Sequence, residues 1–528
     1  MIRSFSVDCC ASWVRSSCCR RLLLLSIAAA ALSGCQVGPK YVRPSATAPA
    51  AYKENQPGSE LAQAEGWKQA NPQDQMLRGK WWEIFKDTDL NALEEKLNVD
   101  NQTIAQSYEN YMAARAQVAE ARSMLWPTVS VGAGENRGRT PALQSTTTAP
   151  GIARTTTMLQ LPVNVSWQPD LWGRVRSQIK ASSASAQISA ADLANMQLSE
   201  QASLAEYYFQ LRGQDALQKT YDATLDSYRQ TLKLTQSLYK AGIYSQEDVA
   251  NAETNLRSAE ANAVAVATAR AQFEHAIALL TGQLASNFSI PAAATTATLP
   301  TIPSGVPSLL LERRPDIAAA ERAVAQQNAL IGVGKAAFFP NVSIGLGGGT
   351  QSPTWTNLVN IDNRYWSLSP QINETIFNGG GYQAAIRQYK AQYEASVAAY
   401  RETVLTAFKE VEDYLVDSRQ LAEQIGRQKL AVDSADQTAK LAMIRYKTGV
   451  DPFLNVLSAQ TLLFNNQQML TQLQTQQMTT AVQLIAALGG GWDVSQLPSY
   501  ADLKSKGQPS LASVTAGAPA QAQAPAKP

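Results

Sequence analysis

The sequence predicts an α+β fold that is mostly helical and is built from two similar halves. Residues 239–256 recur 207 positions later with seven of eighteen positions identical. Apolar side chains follow the three-to-four-residue period of helices over most of the chain and alternate over four short segments. Because both halves show this order of patterns, we expect one duplicated, elongated architecture in the 528 residues.

Residues 1–34 have the pattern of a secretory signal peptide. Arg20 and Arg21 precede the apolar run 22–32, which is shorter than the ~20 residues of a membrane-spanning helix. The Leu-Ser-Gly-Cys that ends this region resembles a bacterial lipobox, which implies cleavage before Cys35 and lipid such as palmitate on that cysteine. An uncleaved anchor helix is the alternative.

Removal of the leader leaves a nearly neutral chain with one cysteine. Of the 45 Lys and Arg and the 43 Asp and Glu, four Arg and one Asp lie in the leader, which leaves 41 bases and 42 acids. This balance does not favour binding to nucleic acid, which needs an excess of positive charge. Since the other four cysteines leave with the leader, neither a disulfide framework nor a thiolate metal site is expected.

A proline-rich segment precedes the first helix. Residues 35–80 contain five prolines and no helical period, so we expect a lipidated, extended segment. The first repeat, residues 81–284, has a helical period up to Pro127, and from about residue 174 a long helix and a second helix. A proline-rich linker, residues 285–307, follows.

The second repeat, residues 308–495, has the same order of elements. Its first helix ends before Pro340, and a long helix and a second helix form a closing hairpin that ends at Leu488. Residues 496–528 are rich in Ala, Pro and Gln and predict a disordered tail, because they cannot bury a core.

Each repeat contains two predicted strands in which apolar and polar residues alternate. Their length and alternation are typical of transmembrane β-strands, and a small soluble sheet packed on the helices is the alternative. Because four strands are too few to close in lipid, a membrane-inserted chain would have to oligomerise. The predicted strands lie near residues 129–133, 159–167, 342–346 and 366–372.

The repeated stretch predicts a tip between two antiparallel helices in each half. Gly242 and Gly449 lie where the chain must turn left-handed after a helix. Ser245 and Asp248 form a predicted capping box, and Asp451 is a predicted N-cap before a proline. The helix before the first tip has about 68 residues and would be ~100 Å long, which no compact domain accommodates.

Six motifs in this order resemble the outer membrane factors of tripartite efflux pumps, the TolC-like channels, in their NodT-type lipoprotein branch. The resemblance covers roughly residues 32–495. The motifs are the lipobox, Gly38–Pro44, Trp81-Trp82, Asp170–Arg174, Glu312–Ile317 and Ala487–Trp492.

This resemblance implies a homotrimer that is lipid-anchored in the outer membrane and extends into the periplasm. Four strands from each chain would form a twelve-stranded barrel, and the long helices would form a periplasmic α-barrel. The helical tips would dock to a periplasmic adaptor protein and to an inner-membrane transporter of the resistance-nodulation-division class. The implied function is passive export of drugs or other small toxic compounds, hence antibiotic resistance, without a cofactor.

The resemblance also implies a gate at the tips. Asp248 and Tyr446 match positions whose polar contacts between helices hold such tips shut, and Leu454 matches an apolar constriction. The alternatives are a capping role for Asp248 and ordinary packing for Tyr446 and Leu454. We expect Asp248→Ala with Tyr446→Phe to increase the passive leak of large antibiotics.

Three further positions could belong to the gate or to a helix cap. Asp451 stands where some members of the family have an arginine, and Asn455 and Ser458 stand where members can have a ring of aspartates. Three copies of Asn or Ser cannot supply the field of clustered carboxylates. Cation selectivity at this constriction is therefore not expected.

The sequence does not favour an enzyme. The one histidine, His275, lies in a helical segment among Ala and Leu, so no catalytic dyad or histidine metal cluster is expected. Besides an efflux conduit, two alternatives remain. These are a conduit of the same fold for protein secretion and a non-conducting trimeric surface lipoprotein.

Overall fold

The computed structural model describes residues 37–46, 48–49, 52–55, 79–141, 154–293, 297–300, 302 and 310–504. The predicted signal peptide, Cys35, much of the linker after residue 293 and the tail from residue 505 lie outside the described residues.

The chain forms two compact units that interleave along the sequence. The sheet unit takes residues up to 44, 113–186 and 321–398, and the helical unit takes 45–112, 187–320 and the residues from 399 onward. Each unit therefore draws on both halves of the sequence.

The long helices repeat with a constant offset. Helices α3 and α4 span Arg174–Lys240 and Gln246–Leu280, and α7 and α8 span Gly381–Lys447 and Phe453–Ala487. All four boundaries recur 207 positions later, which is the offset of the repeated stretch. The duplicated, mostly helical fold is thus confirmed, and the 67 residues of α3 correspond to ~100 Å of helix.

Shorter helices precede the strands in each half. The first half has α1, Thr88–Asp100, and α2, Gln102–Ser123, and the second has α5, Leu310–Arg313, and α6, Pro315–Ala336. Helices α2 and α6 both have 22 residues. Among the described residues, no helix has both the length and the apolar character that a membrane span requires.

Five strand segments form one antiparallel sheet in the order β1/β2, β3, β4, β5. They are β1 (Thr128–Val131), β2 (Gly134–Thr140), β3 (Arg154–Trp167), β4 (Asn341–Ser352) and β5 (Arg364–Asn373). The four predicted strands are present, but the prediction for the first was wrong in extent, because it is longer and split in two. Its added part, β2, is polar and has no apolar alternation to reveal it.

The split in the first strand has a local cause. Segments β1 and β2 keep one register against β3, with Val131 opposite Val163 and Gly134 opposite Gln160. Between them, the Gly132 N–H donates to the Pro162 carbonyl at 2.9 Å. Pro162 has no N–H to return this bond, so the ladder is interrupted there.

Aromatic residues form a core at the start of the helical unit. Trp81, Trp82 and Phe85 are buried, and the Trp81 indole N–H donates to Gln201 at 3.1 Å. Asp87 caps α1 and also accepts from the Tyr208 hydroxyl at 2.9 Å. The paired tryptophans of the motif thus fix α1 against α3.

Gly213 permits a close approach of α3 and α8. Helix α3 runs through Gly213 without a break. A Cβ at this position would lie 2.4 Å from Thr475 Oγ1 and 2.7 Å from Thr475 Cγ2. Such distances require a shift of the neighbouring helix or side chain.

We expect Gly213→Ala to destabilise the protein by about 1–3 kcal/mol, as overpacking does. Helix propensity alone predicts the opposite sign, because alanine is favoured by ~1 kcal/mol over glycine inside a helix. Unfolding by guanidinium of Gly213→Ala, Thr475→Ala and the double variant tests this. Thr475→Ala should restore most of the loss, and a stabilised Gly213→Ala would show that the contact does not constrain this site.

Glu94 in α1 is a buried acid without a partner. Neither of its carboxyl oxygens has a hydrogen-bond partner among the described residues. Burial raises the pKa of this carboxyl well above its usual range. The unfolded chain ionises at a lower pH than the folded one, so the stability falls as the pH rises from the unfolded pKa towards the folded pKa.

Glu94→Gln should therefore be more stable than the parent at about pH 8 and not at about pH 4. The expected gain is roughly 1.4 kcal/mol for each pH unit that separates the two pKa values. The free energy of unfolding across this pH range measures it. Glu95→Gln is the control, since Glu95 is exposed and pairs with Lys80. Equal pH profiles for Glu94→Gln and the parent would contradict a buried neutral acid.

Candidate functional site

Both helical tips turn through a glycine in the left-handed region. Gly242 has φ 74° and Gly449 has φ 76°. The N–H groups of Ile243 and Val450 donate to carbonyls five residues back, at 3.0 and 2.9 Å. This is the hydrogen-bond pattern of the Schellman motif, so the predicted stop signals are confirmed in both halves.

The predicted caps after the two turns have different outcomes. Ser245 and Asp248 form the complete capping box at the start of α4. Asp451 is not the N-cap of α8, and that prediction was wrong. The helix begins at Phe453, and Pro452 occupies the N-cap position without a side-chain hydrogen bond.

Asp451 forms an ion pair with Arg445 instead. The Arg445 guanidinium donates to its two carboxylate oxygens at 2.6 and 3.0 Å. These charge-assisted bonds replace a backbone cap and lower the pKa of the Asp451 carboxyl. The pair therefore supports the tip above the unfolded pKa of the carboxyl and is lost as the pH falls through the lower folded value.

Tyr446 joins the two hairpins of one chain. Its side chain is 0% exposed, and its ring lies 4.6 Å from that of Tyr244 and 5.5 Å from that of Phe453. Its hydroxyl donates to Thr235 Oγ1 at 3.4 Å, and the Tyr244 hydroxyl donates to the Tyr446 carbonyl at 2.8 Å. Contacts from the first hairpin thus hold the second.

Asp248 influences Tyr446 through its charge only. Burial raises the pKa of the Tyr446 hydroxyl, and the negative charge of Asp248 raises it further. No hydrogen bond joins Asp248 to Tyr446 in the described part of the chain. Asp248 makes the capping contact, and Tyr446 the packing contact, that the sequence allowed.

Leu454 stands apart from this cluster. It is 63% exposed at the start of α8 and lies close in sequence to the exposed Val450. Asn455 and Ser458 are also exposed. Nothing in the described part of this chain covers these residues, so they remain accessible to another molecule.

Three residues of the tip were missed by the sequence argument: Tyr244, Thr235 and Arg445. Tyr244 stands at the repeat position that Asp451 occupies in the second half. Unlike residues at equivalent positions of the two repeats were the signal in the sequence that could have indicated Tyr244.

The sheet has one apolar and one polar face. Val131, Val163, Gly348 and Trp366 stand opposite one another across the strands, as do Val129, Val165, Leu346 and Leu368. Neighbouring positions on the strands, such as Ser130, Asn164 and Ser367, lie on the other face. Many of the apolar side chains, Trp366 and Val131 among them, are exposed in one chain.

Aromatic residues mark the junctions of strands and helices. Trp172 stacks on Phe339 at 4.9 Å and donates to the Pro340 carbonyl at 2.8 Å, and Trp167 donates to the Leu125 carbonyl at 3.0 Å. Trp126 is exposed beside them in sequence. Aromatic side chains at this level are typical of the interface between a bilayer and water.

Both outer edges of the sheet lack a partner strand within the described chain, since β1/β2 and β5 each pair on one side. An open edge cannot remain in lipid. An exposed apolar face, aromatic residues at the junctions of strands and helices, and open sheet edges, on a chain with helices of ~100 Å, are the features of a membrane-inserted channel protein.

The chain belongs to the outer membrane efflux protein family, whose model matches residues 93–283 and 306–490. It is similar to the probable efflux pump outer membrane protein TtgC of Pseudomonas putida, with 33% identity over 481 residues, 90% of this chain and 96% of that protein. Outer membrane protein OprJ of Pseudomonas aeruginosa is 32% identical over 88% of this chain and 94% of its own. Among solved structures, the outer-membrane channel OprN is similar with a TM-score of 0.78 and 28% identity, over 87% of this chain and 100% of that chain.

The resemblance to the outer membrane factors of efflux pumps is therefore confirmed, and the chain is an outer-membrane efflux channel. Proteins of this family are conduits. Within the described residues, no cluster of three or more His, Cys, Asp or Glu is placed to hold a metal ion, and His275 is exposed on α4.

Proposed function

We propose that three copies of this chain form a passive conduit in a tripartite efflux system, served by a periplasmic adaptor and an inner-membrane transporter of the resistance-nodulation-division class. The observation that carries the proposal is an open-edged sheet with an exposed apolar face, on a chain whose helices reach ~100 Å. Each chain would contribute one third of the wall of the conduit.

Trimer formation would satisfy both the sheet and the helices. The edge of β5 in one chain would pair with the β1/β2 edge of the next, which gives twelve strands if the split first strand counts once. On the helices, exposed apolar residues remain to be covered by a neighbouring subunit. They include Val264 and Leu279 on α4 and Leu405, Leu430 and Leu441 on α7.

The tips are the proposed gate. Tyr446 and Asp248 would hold the two hairpins together in the closed state, and the exposed Leu454 side chains of three subunits would narrow the passage. Asp451, Asn455 and Ser458 would lie beside this constriction, with Asp451 engaged by Arg445.

A lipid anchor at Cys35 fits the position of the next residues. Gly38 packs on Gly332 in α6, since a Cβ at Gly38 would lie 3.0 Å from the Gly332 Cα. Asn328 donates to the Pro39 carbonyl at 3.2 Å. Because β4 starts soon after the end of α6, this contact lies close in sequence to a strand that would enter the membrane.

Mass spectrometry of the amino-terminal peptide tests the anchor. The peptide should begin at Cys35 and carry three acyl chains in the parent and none in Cys35→Ala. An unmodified Cys35 in protein purified from the outer membrane would exclude the anchor.

Deletion of the gene tests the proposed cargo. Loss of resistance to small toxic compounds, with secretion of proteins unchanged and resistance restored by the intact gene, is the expected result. Loss of a secreted protein without a change in resistance would favour the secretion conduit instead. Growth and export identical to the parent would favour a non-conducting lipoprotein.

A further inference from the structure

We propose that arginines at the loop end of the sheet form a collar that binds phosphate headgroups of anionic lipid in the outer leaflet. The inference rests on the proposed function, because it needs the sheet to lie in the outer membrane with its loops outside. The collar consists of Arg137 and Arg139 on β2 and Arg364 on β5.

The collar lies at the end of the strands that is remote from the helices in sequence. Strands β2 and β3 are joined beyond Thr140, and β4 and β5 are joined beyond Ser352. Among the residues of this end whose side chains are described, within 134–141, 155–160 and 348–364, there are three arginines and two acids, Glu135 and Asp362. This end is therefore positively charged.

The register places the collar on the apolar face of the sheet. Arg364 stands opposite Thr350, which stands opposite Leu161, one step beyond the row that holds Trp366. Arg137 and Arg139 stand opposite Thr157 and Thr155, on the face that carries Leu159. Glu135, opposite Leu159, lies on this face as well, so the surface changes from apolar to charged along it, with three arginines and one carboxylate.

This position has a physical meaning in a membrane. An arginine on the lipid-facing surface is costly at the bilayer centre and nearly neutral at the interface. The collar must therefore lie at headgroup level, with Trp366 directly below Arg364 as an interfacial aromatic. Lipid phosphates are the anions that this level provides.

The three guanidinium groups are available for such a ligand. All three side chains are exposed, and none makes an ion pair with a described residue of the chain. Arg137 and Arg139 are two residues apart on one strand, about 7 Å along it, so that one phosphate can contact both. Arginine binds phosphate oxygens through two parallel N–H groups.

In the proposed trimer the collar would become continuous. Strands β2 and β5 form opposite edges of the sheet in one chain. Pairing between subunits would place Arg364 of one copy on the strand next to Arg137 and Arg139 of another. Each junction between two subunits would then present three arginines to the lipid.

Electron spin resonance of the full-length channel in phosphatidylcholine vesicles tests the collar. A trace of spin-labelled phosphatidic acid should show stronger immobilisation by the protein than spin-labelled phosphatidylcholine, with a relative association constant of about five or more. Arg137→Gln/Arg139→Gln/Arg364→Gln should bring this ratio close to one. The control Lys219→Gln/Lys233→Gln/Arg401→Gln removes the same charge from exposed positions of the helical unit and should retain the preference.

Separate measurements keep the outcomes distinct. If the triple variant fails to assemble, Arg364→Gln alone should lower the ratio, and high salt should lower it in the parent. Inorganic phosphate should not compete, because the proposed ligand is a headgroup held in the bilayer. A parent that forms conducting trimers without preference for phosphatidic acid would overturn the collar and leave the channel intact. A parent that neither inserts nor conducts would overturn the proposed function.

Discussion

Asp248→Ala combined with Tyr446→Phe is expected to raise the passive leak of large antibiotics by on the order of a hundredfold, at unchanged trimer level. The variant keeps the Tyr446 ring in its cluster and removes its bond to Thr235, the nearby charge of Asp248 and the Asp248 part of the capping box. Loss of about 1 kcal/mol in each of three subunits amounts to about 3 kcal/mol against the closed state.

Susceptibility of intact cells to an antibiotic too large for general porins measures the leak. Glu247→Ala with Tyr239→Phe is the matched control, since both side chains are exposed at the first tip and Tyr239 is the repeat equivalent of Tyr446. Tyr244→Phe should act in the same direction as the test variant, because it removes the 2.8 Å bond to the Tyr446 carbonyl. Unchanged permeability in the test variant would confine these residues to capping and packing.

Arg314→Ala is expected to destabilise the helical unit by about 3 kcal/mol, the lower end of the cost of breaking a buried ion pair. Its side chain is 11% exposed and pairs with Asp316 at 2.6 Å and with Glu410 at 2.7 Å. It also donates to the Ala487 carbonyl at 3.2 Å. One guanidinium therefore joins the start of α6, the middle of α7 and the end of α8.

The control is an exposed ion pair on α7, the helix that carries Glu410. Arg427 lies 2.6 Å from Glu423, and both side chains are largely exposed. Arg427→Ala should change stability by less than about 0.5 kcal/mol. Loss of helical circular dichroism on heating the solubilised protein measures both variants. If Arg314→Ala and Arg427→Ala both unfold at the same temperature as the parent, the contacts of Arg314 do not hold these three helices together.

The tips show which contacts a sequence reveals. The left-handed turns at Gly242 and Gly449 follow from one residue type each and were predicted in both halves. The capping box depends on two residues three apart and was predicted as well. Such local signals need no knowledge of the rest of the chain.

Long-range contacts account for the errors. Asp451 was assigned to a cap because of the proline after it, whereas the guanidinium six residues earlier binds it more strongly than a backbone N–H. The split of the first strand depends on Pro162, which only the register places opposite Gly132. The cluster around Tyr446 joins residues about 200 positions apart, so no periodicity could reveal it.

The two tips are alike in backbone and unlike in side chains. Both end a 67-residue helix and begin a 35-residue helix. The first provides Tyr244 and Asp248, and the second provides Tyr446, Asp451 and the exposed Leu454. Unlike residues therefore meet between the two hairpins of one chain.

Single-channel conductance in planar bilayers tests the central claim of a gated passive channel most directly. If three aspartates in place of Leu454 stood about 8 Å apart, they would repel one another with roughly 1.5 kcal/mol in water, which corresponds to about a tenfold shift towards the open state. The expected result is low conductance in the parent and in Leu454→Met, and a clearly higher conductance in Leu454→Asp at equal trimer level. A well-folded trimer that shows no conductance in any of the three would contradict the channel.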